Sequence, residues 1–194
     1  MILPIVAYGD PVLRKVGKEI DKDYENLEAL ISNMKETMKN AQGVGLAAPQ
    51  IGKDIRLFLI DASPFSESEE LEQEERDFLK DFKRVFINAK IIEEEGDEWA
   101  FNEGCLSIPN INDDVSRNET ILVEYLDENF EQQKESLDGL AARIFQHEYD
   151  HIEGVLFTDK LSSLKKRLLK KKLENISKGK VDVSYRMKFP NLKK

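Results

Sequence analysis

Hydrophobic residues recur at helical spacing in three stretches of the chain. Residues 24–41 and 138–154 place apolar side chains every three or four positions, which predicts two amphipathic helices. Asp138 is placed to cap the second helix, and Gly154 is placed to end it. A third helix is predicted over residues 162–176, with lysines along one side. The apolar side of this third helix comprises Leu164, Leu168, Leu169, Leu173 and Ile176.

Four apolar runs of another kind predict strands. They cover residues 56–61, 84–92, 121–126 and 131–137, and the last two are expected to form a hairpin. After Pro109 the chain becomes polar, and a loop is expected there. Together these patterns predict an α+β fold, in which antiparallel strands pack around the helix of residues 138–154 and a basic amphipathic helix follows.

The stretch from residue 62 to residue 83 differs from its surroundings. It begins with serines, and its acidic residues outnumber its three basic ones. Such a composition buries little apolar surface, so we expect a surface insertion that is partly disordered or ends in a short helix near Phe78.

Length and composition describe one globular domain. The chain has 194 residues, of which 40% are hydrophobic and 35% charged. No apolar run approaches the roughly 20 residues of a membrane helix, and the N-terminus lacks the basic and apolar regions of a secretory signal. We therefore expect a cytoplasmic protein without a membrane span.

Charge is distributed unevenly along the chain. Residues 160–194 contain 13 basic residues and two acidic ones, whereas the whole chain carries a net charge of -9. This suggests a division into a domain of residues 1–160 and a basic helix and tail of residues 161–194. The tail could approach a polyanion such as a ribosome, or it could be an ordinary solvated helix.

The most distinctive stretch is His147-Glu148-Tyr149-Asp150-His151, which contains the only two histidines of the chain. On a helix, residues four positions apart lie on one face, so both rings can bind a single metal ion with the glutamate beside them. Two exposed histidines at this spacing also occur by chance.

The single cysteine, Cys105, has no partner for an internal disulfide. Free cysteines most often pack in a core, but a thiolate is also a good ligand for a transition metal. The spacing to the histidines leaves both readings open.

Three stretches of the chain resemble the signature motifs of peptide deformylases, and they occur in the family's order. They are Gly43-Val44-Gly45-Leu46-Ala47-Ala48-Pro49-Gln50, Glu103-Gly104-Cys105-Leu106-Ser107 and Gln146-His147-Glu148-Tyr149-Asp150-His151. The resemblance implies removal of the formyl group from the N-terminal formyl-methionine of newly synthesised proteins. It also implies that Cys105, His147 and His151 hold Fe2+, for which Zn2+, Ni2+ or Co2+ can substitute.

The resemblance assigns roles to further residues. Glu148 would carry the proton between water and the departing amine. The side-chain amide of Gln50 and the backbone N–H of Leu106 would bind the oxyanion that develops during attack.

Substrate binding is expected close to these groups. Gly45 would let the substrate backbone lie against the loop, while Val44, Leu140 and Ile144 would contact the methionine side chain or belong to the core. The chain lacks the arginine that many family members have near Asn112, which affects how the downstream part of the substrate is held.

Two rival functions are compatible with parts of this pattern. A zinc peptidase can use the same H-E-x-x-H stretch, but such enzymes take a third ligand from downstream, and no histidine follows His151. A non-catalytic module could bind RNA or the ribosome through the basic tail. Catalysis and ribosome binding are compatible with each other.

Overall fold

The computed structural model describes residues 1–192 as a mixed fold of helices and sheet. The α-helices in this range are α1 (Leu27–Asn40), α2 (Gln73–Asp81), α3 (Gly139–Ile152) and α4 (Ser163–Ser177). The strands are β1 (Ile5–Val6), β2 (Gly45–Ala47), β3 (Leu57–Asp61), β4 (Lys83–Cys105), β5 (Ile108–Leu126), β6 (Gln132–Leu137) and β7 (Met187–Lys188). Residues 193 and 194 of the predicted basic tail lie outside the described residues. None of the helices within residues 1–192 is long and apolar enough to cross a membrane.

Strands β2 to β6 form one antiparallel sheet in sequence order. The antiparallel arrangement of the four predicted strands is confirmed, and β2 adds a fifth strand that the sequence did not predict. β4 and β5 make a long hairpin whose register shifts at four points, and such shifts bend a strand and change the direction of its side chains. The hairpin closes at Leu106 and Ser107, between Cys105 and its partner Ile108.

The predicted loop after Pro109 is wrong, because these residues belong to β5. Ile111, Val115 and Arg117 are buried, whereas Asn112 and Asp114 between them are exposed. The stretch therefore alternates as a half-buried strand does, with polar residues on its outer face.

Helix α3 packs against the sheet through a group of aromatic rings. Phe145 is fully buried and meets Phe58 edge-on at 5.1 Å and Phe86 edge-on at 5.0 Å, measured between ring centroids. Asp138 occupies the N-cap position without a side-chain capping bond. Instead, the carboxylate of Glu75 in α2 accepts a hydrogen bond of 3.2 Å from the backbone N–H of Leu140.

Residues 62–83 are folded, so the alternative of a short helix near Phe78 is correct and that of partial disorder is wrong. A 3-10 helix at Ser63–Glu67 leads into α2. Leu79 and Phe82 are completely buried, which ties the segment to the main core. These two apolar side chains outweigh the surrounding acidic composition.

The C-terminal part of the chain packs back on the N-terminal part. The side chain of Ser162 caps α4, whose Leu173 and Ile176 are buried. The predicted apolar side of α4 is wrong at Leu164 and Leu168, which are 63% and 70% exposed. Beyond α4 the chain turns back, and β7 pairs with β1 in a small parallel sheet.

Candidate active site

A cavity of about 600 Å³ lies between the loop before β2, the end of β4, helix α3 and the C-terminal tail. Each of these segments contributes to its wall, so the cavity collects residues that are distant in sequence. The candidate site residues among them are Gly45, Gln50, Cys105, Leu106, His147 and Glu148.

Three candidate metal ligands meet beside this cavity. The ligand atoms of Cys105, His147 and His151 all lie within 4.8 Å of one another. The sulfur of Cys105 is 3.3 Å from Nε2 of His151. The histidines lie one helical turn apart on α3, and the cysteine is the last residue of β4. A thiolate with two imidazoles is a donor set that suits zinc and iron, so these residues fit the metal that the sequence predicts.

Glu103 holds one of these rings in place. It lies two residues before Cys105, and its Oε2 accepts a hydrogen bond of 2.9 Å from Nδ1 of His147. This bond leaves Nε2 of the ring as the atom that is available to bind an ion, and it orients the ring.

The carboxylate of Glu103 is itself bound by two buried arginines. Nε of Arg117 donates to it over 2.7 Å and Nη1 of Arg143 over 3.2 Å, while Nη1 of Arg117 also donates to Asp150 over 2.7 Å. Burial alone would raise the pKa of Glu103, but the hydrogen bonds from Arg117 and His147 outweigh it and hold that pKa well below its usual range. Glu103 therefore stays ionised as a fixed negative partner of the ring.

Glu148 is the acidic side chain of the His147–His151 stretch that packs against Gly45. It is 4% exposed, and burial raises the pKa of its carboxyl to about 7. A Cβ atom at Gly45 would lie only 2.6 Å from Cδ of Glu148, so the carboxyl packs directly against the strand backbone. Only glycine at position 45 leaves room for this side chain in its present place.

The side chain of Gln50 is oriented by its own loop. Its Oε1 accepts a hydrogen bond of 2.8 Å from the backbone N–H of Ala47. Its Nε2 consequently points the other way, to within 3.5 Å of the sulfur of Cys105. The amide therefore directs its donor group at the place where the three candidate ligands meet.

The sequence of the chain matches that of a known family over most of its length. The family model described as polypeptide deformylase matches residues 2–167. The chain belongs to the peptide deformylase family. The peptide deformylase of Christiangramia forsetii is 64% identical over 194 residues, which are 100% of this chain and 99% of that relative.

Solved peptide deformylases share the fold. The crystal structure of the enzyme from Legionella pneumophila has a TM-score of 0.77 and 38% identity, and the match covers 93% of this chain and 98% of that one. For the enzyme from Thermotoga maritima the TM-score is 0.72, the identity 39%, and the coverage 84% and 99%. Peptide deformylases are metal-dependent hydrolases that remove the formyl group from nascent peptides, which confirms the predicted reaction class.

The predicted pocket residues of this deformylase family member divide into two groups. Val44 and Ile144 line the cavity together with Gly45. Leu140 does not line the cavity. It lies one helical turn before Ile144 on α3 and is buried in the main core. Asn112, at the position where many family members have an arginine, lies over Gly104 at the cavity wall.

Sequence reasoning missed the supporting residues of the site. Glu103 could have been found, because residues two apart on a strand share a face and Cys105 is one of the candidate ligands. Arg143 lies one helical turn before His147, so its position on the same face of the helix could also have been predicted. The strand that Arg143 contacts could not be predicted, because that contact depends on the register of the β4–β5 hairpin.

Replacement of Gly45 by alanine is expected to lower formate release by about 100-fold, since displacing a reacting group by about 1 Å has a cost of that order. The added Cβ would push the carboxyl of Glu148 out of place while leaving Cys105, His147 and His151 untouched. Steady-state kinetics and metal analysis of the purified variant check this. Normal turnover in the variant would show that the position of Glu148 against the loop is unimportant.

Proposed function

We propose that this chain deformylates N-terminal formyl-methionine of nascent proteins with a metal ion held by Cys105, His147 and His151. The observation that carries the proposal is the meeting of their three ligand atoms within 4.8 Å, beside the buried carboxyl of Glu148. Two imidazoles and one thiolate leave room for a fourth ligand, which is the arrangement of catalytic rather than structural sites.

The substrate would enter along the edge of the main sheet. β2 is the end strand in the order β2-β3-β4-β5-β6, and Gly45 on it lines the cavity. An extended peptide can pair with such an edge through backbone hydrogen bonds. Val44 and Ile144 then contact the unbranched methionine side chain, which adapts well to an apolar pocket.

The reaction adds water to the formyl carbon and breaks the bond between that carbon and the amine nitrogen. When bound, the metal acts as a Lewis acid toward the formyl group and makes water easier to deprotonate. The carboxylate of Glu148 accepts a proton from the attacking water and returns it to the departing amine, so formate and a free N-terminus are released.

Two neutral donors complete the site. Nε2 of Gln50 donates a hydrogen bond to the formyl oxygen as negative charge develops on it, and the backbone N–H of Leu106 donates a second one. Both groups keep their protons during the reaction, so neither consumes the proton that Glu148 carries. The fixed orientation of the Gln50 amide supports this role.

We propose Fe2+ as the native metal, with Zn2+, Ni2+ or Co2+ able to replace it. The same nitrogen and sulfur ligands accept all four ions, so availability decides as much as affinity.

Formylated and unformylated peptides distinguish the proposal from its closest rival. Incubation with formyl-Met-Ala-Ser is expected to yield formate and intact Met-Ala-Ser, whereas unformylated Met-Ala-Ser is expected to remain unchanged. Cleavage between amino acids without release of formate would favour a zinc peptidase instead.

We further propose that α4 contacts the ribosome and that the protein acts in the cytoplasm, where nascent chains appear. The exposed side of α4 carries Lys166, Lys170 and Lys171. Lysines on one helix face suit a surface rich in phosphate, and the acidic remainder of the chain would orient the helix toward it.

Replacement of Lys166, Lys170 and Lys171 by glutamate is expected to weaken binding to ribosomes roughly tenfold at low salt, since each lysine would lose a phosphate contact. Co-sedimentation over a series of salt concentrations measures the effect. These substitutions are preferable to deletion of residues 161–194, because β7 pairs with β1 and deletion would disturb the fold.

A control variant makes the same change of charge on exposed lysines outside α4. It replaces Lys22, Lys39 and Lys53 by glutamate. Equal losses of binding in the two variants, or no loss in either, would contradict a specific contact through α4.

A further inference from the structure

The segment that follows α4 returns to the active site. The family match ends at residue 167, yet residues 182–185 form part of the cavity wall. They lead directly into β7, whose pairing with β1 is supported by a hydrogen bond of 2.9 Å from the N–H of Ile5 to the carbonyl of Arg186. The tail is therefore held in place next to the cavity.

One side chain of this segment binds the turn between β4 and β5. The hydroxyl of Tyr185 donates a hydrogen bond of 2.8 Å to the backbone carbonyl of Leu106, and the tyrosine is partly buried. The next carbonyl of the turn, that of Ser107, accepts a hydrogen bond of 2.8 Å from the N–H of Tyr8. Two consecutive peptide groups are thus bound from the side of the small β1–β7 sheet.

This turn carries two groups of the proposed chemistry. It begins at Cys105, the thiol ligand, and contains the backbone N–H of Leu106. A two-residue connection leaves its peptide groups few alternative orientations, but their exact direction depends on what binds their carbonyls. A hydrogen bond to the carbonyl of Leu106 restricts rotation of the peptide group between Leu106 and Ser107. It thereby also limits the backbone conformation of Leu106, which lines the cavity.

We propose that Tyr185 is a positioning residue for deformylation: its hydroxyl fixes the turn so that the N–H of Leu106 points at the developing oxyanion. Tyr185 acts through the backbone of Leu106 and does not react with the substrate. The inference rests on the proposed function of Leu106, and it extends the active site to a segment beyond the family match.

The test compares Tyr185→Phe with the wild-type protein and with Tyr24→Phe. Both substitutions remove one hydroxyl and keep the ring. Tyr24 packs against the same core cluster as Tyr185 but does not line the cavity, so it controls for the loss of a tyrosine hydroxyl as such. Because an oxyanion donor acts in the transition state, we expect kcat of the Tyr185→Phe protein on formyl-Met-Ala-Ser to fall about tenfold with KM nearly unchanged. Tyr24→Phe should resemble the wild type.

Amide hydrogen exchange provides a readout that does not depend on turnover. In the Tyr185→Phe protein, exchange is expected to become faster in the fragment that spans residues 103–110 and to stay unchanged elsewhere. Unchanged kcat would overturn the inference. A rise in KM at constant kcat would also overturn it, because Tyr185 would then contact the substrate. Faster exchange throughout the molecule would overturn it as well, because it indicates a general structural role. An inactive wild-type protein would instead contradict the proposed function.

Discussion

Replacement of Glu148 by alanine is expected to reduce formate release by about 10²–10⁴-fold, the range that a positioned general acid or base contributes. The carboxyl is buried against Gly45, in the cavity that Cys105 and His147 also line, and we propose no other side chain as the carrier of the proton from water to the amine. The metal content should remain that of the wild type, because the ligands themselves are unchanged. Turnover of formyl-Met-Ala-Ser and elemental analysis of the same sample measure both quantities.

Two further variants make this result specific. Glu148→Gln keeps the shape of the side chain but cannot accept the proton, so it should be as inactive as the alanine variant. Glu98→Ala removes an exposed carboxylate from the β4–β5 hairpin and should have normal activity. Substantial turnover by Glu148→Gln would assign the proton transfer to another group.

Replacement of Cys105 by alanine is expected to abolish both metal binding and formate release. Loss of a residue that merely supports a ligand typically weakens metal binding 10–100-fold, and loss of the thiolate itself should exceed this. The fold should persist, since the cysteine lies at the end of β4 and only packs beside a core cluster. Metal titration against a competing chelator, with circular dichroism as the control for folding, measures the effect.

A metal-replete and active Cys105→Ala protein would contradict the assignment of this ligand. Loss of activity with full metal content would also contradict it, because the cysteine would then act in another way. Ser66→Ala offers a comparable small change, in the segment of residues 62–83, and should alter neither property.

The local parts of the fold follow from periodicity. Leu27, Leu30, Ile31, Met34 and Met38 recur at helical spacing, and all are buried along α1. Such a pattern depends only on residues within one element, so it predicts the helix before any contact is known. The composition of residues 62–83 is compatible with partial disorder or with a short helix near Phe78, and the burial of Leu79 and Phe82 decides between them.

Pairings between residues that are distant in sequence could not be predicted from periodicity. β4 and β5 have polar residues on their outer faces, so the sequence after Pro109 resembles that of a loop. Their pairing also shifts register at four points, which no local pattern predicts. The pairing of β7 with β1 joins residues near opposite ends of the chain, and two residues of strand carry almost no local signal. Leu164 and Leu168 follow the apolar period of α4 but remain mostly exposed.

The site lies between these extremes. Helical spacing brings His147 and His151 together, but the position of Cys105 depends on the last register shift of the β4–β5 hairpin. Only the resemblance to known motifs predicted that the cysteine would join the histidines. The bonds of Glu103 to Arg117 and Arg143 combine three elements, and no spacing within a single element predicts them.

A parallel measurement of metal content and formate release, on protein purified without oxygen, tests metal-dependent deformylation most directly. We expect about one divalent ion per chain, as one set of three ligands requires, together with release of formate from formyl-Met-Ala-Ser. Removal of the ion with a chelator should abolish release, and addition of Fe2+ should restore it. Undiminished formate release from metal-free protein, or none from protein loaded with Fe2+, would contradict deformylation by a metal ion at this site.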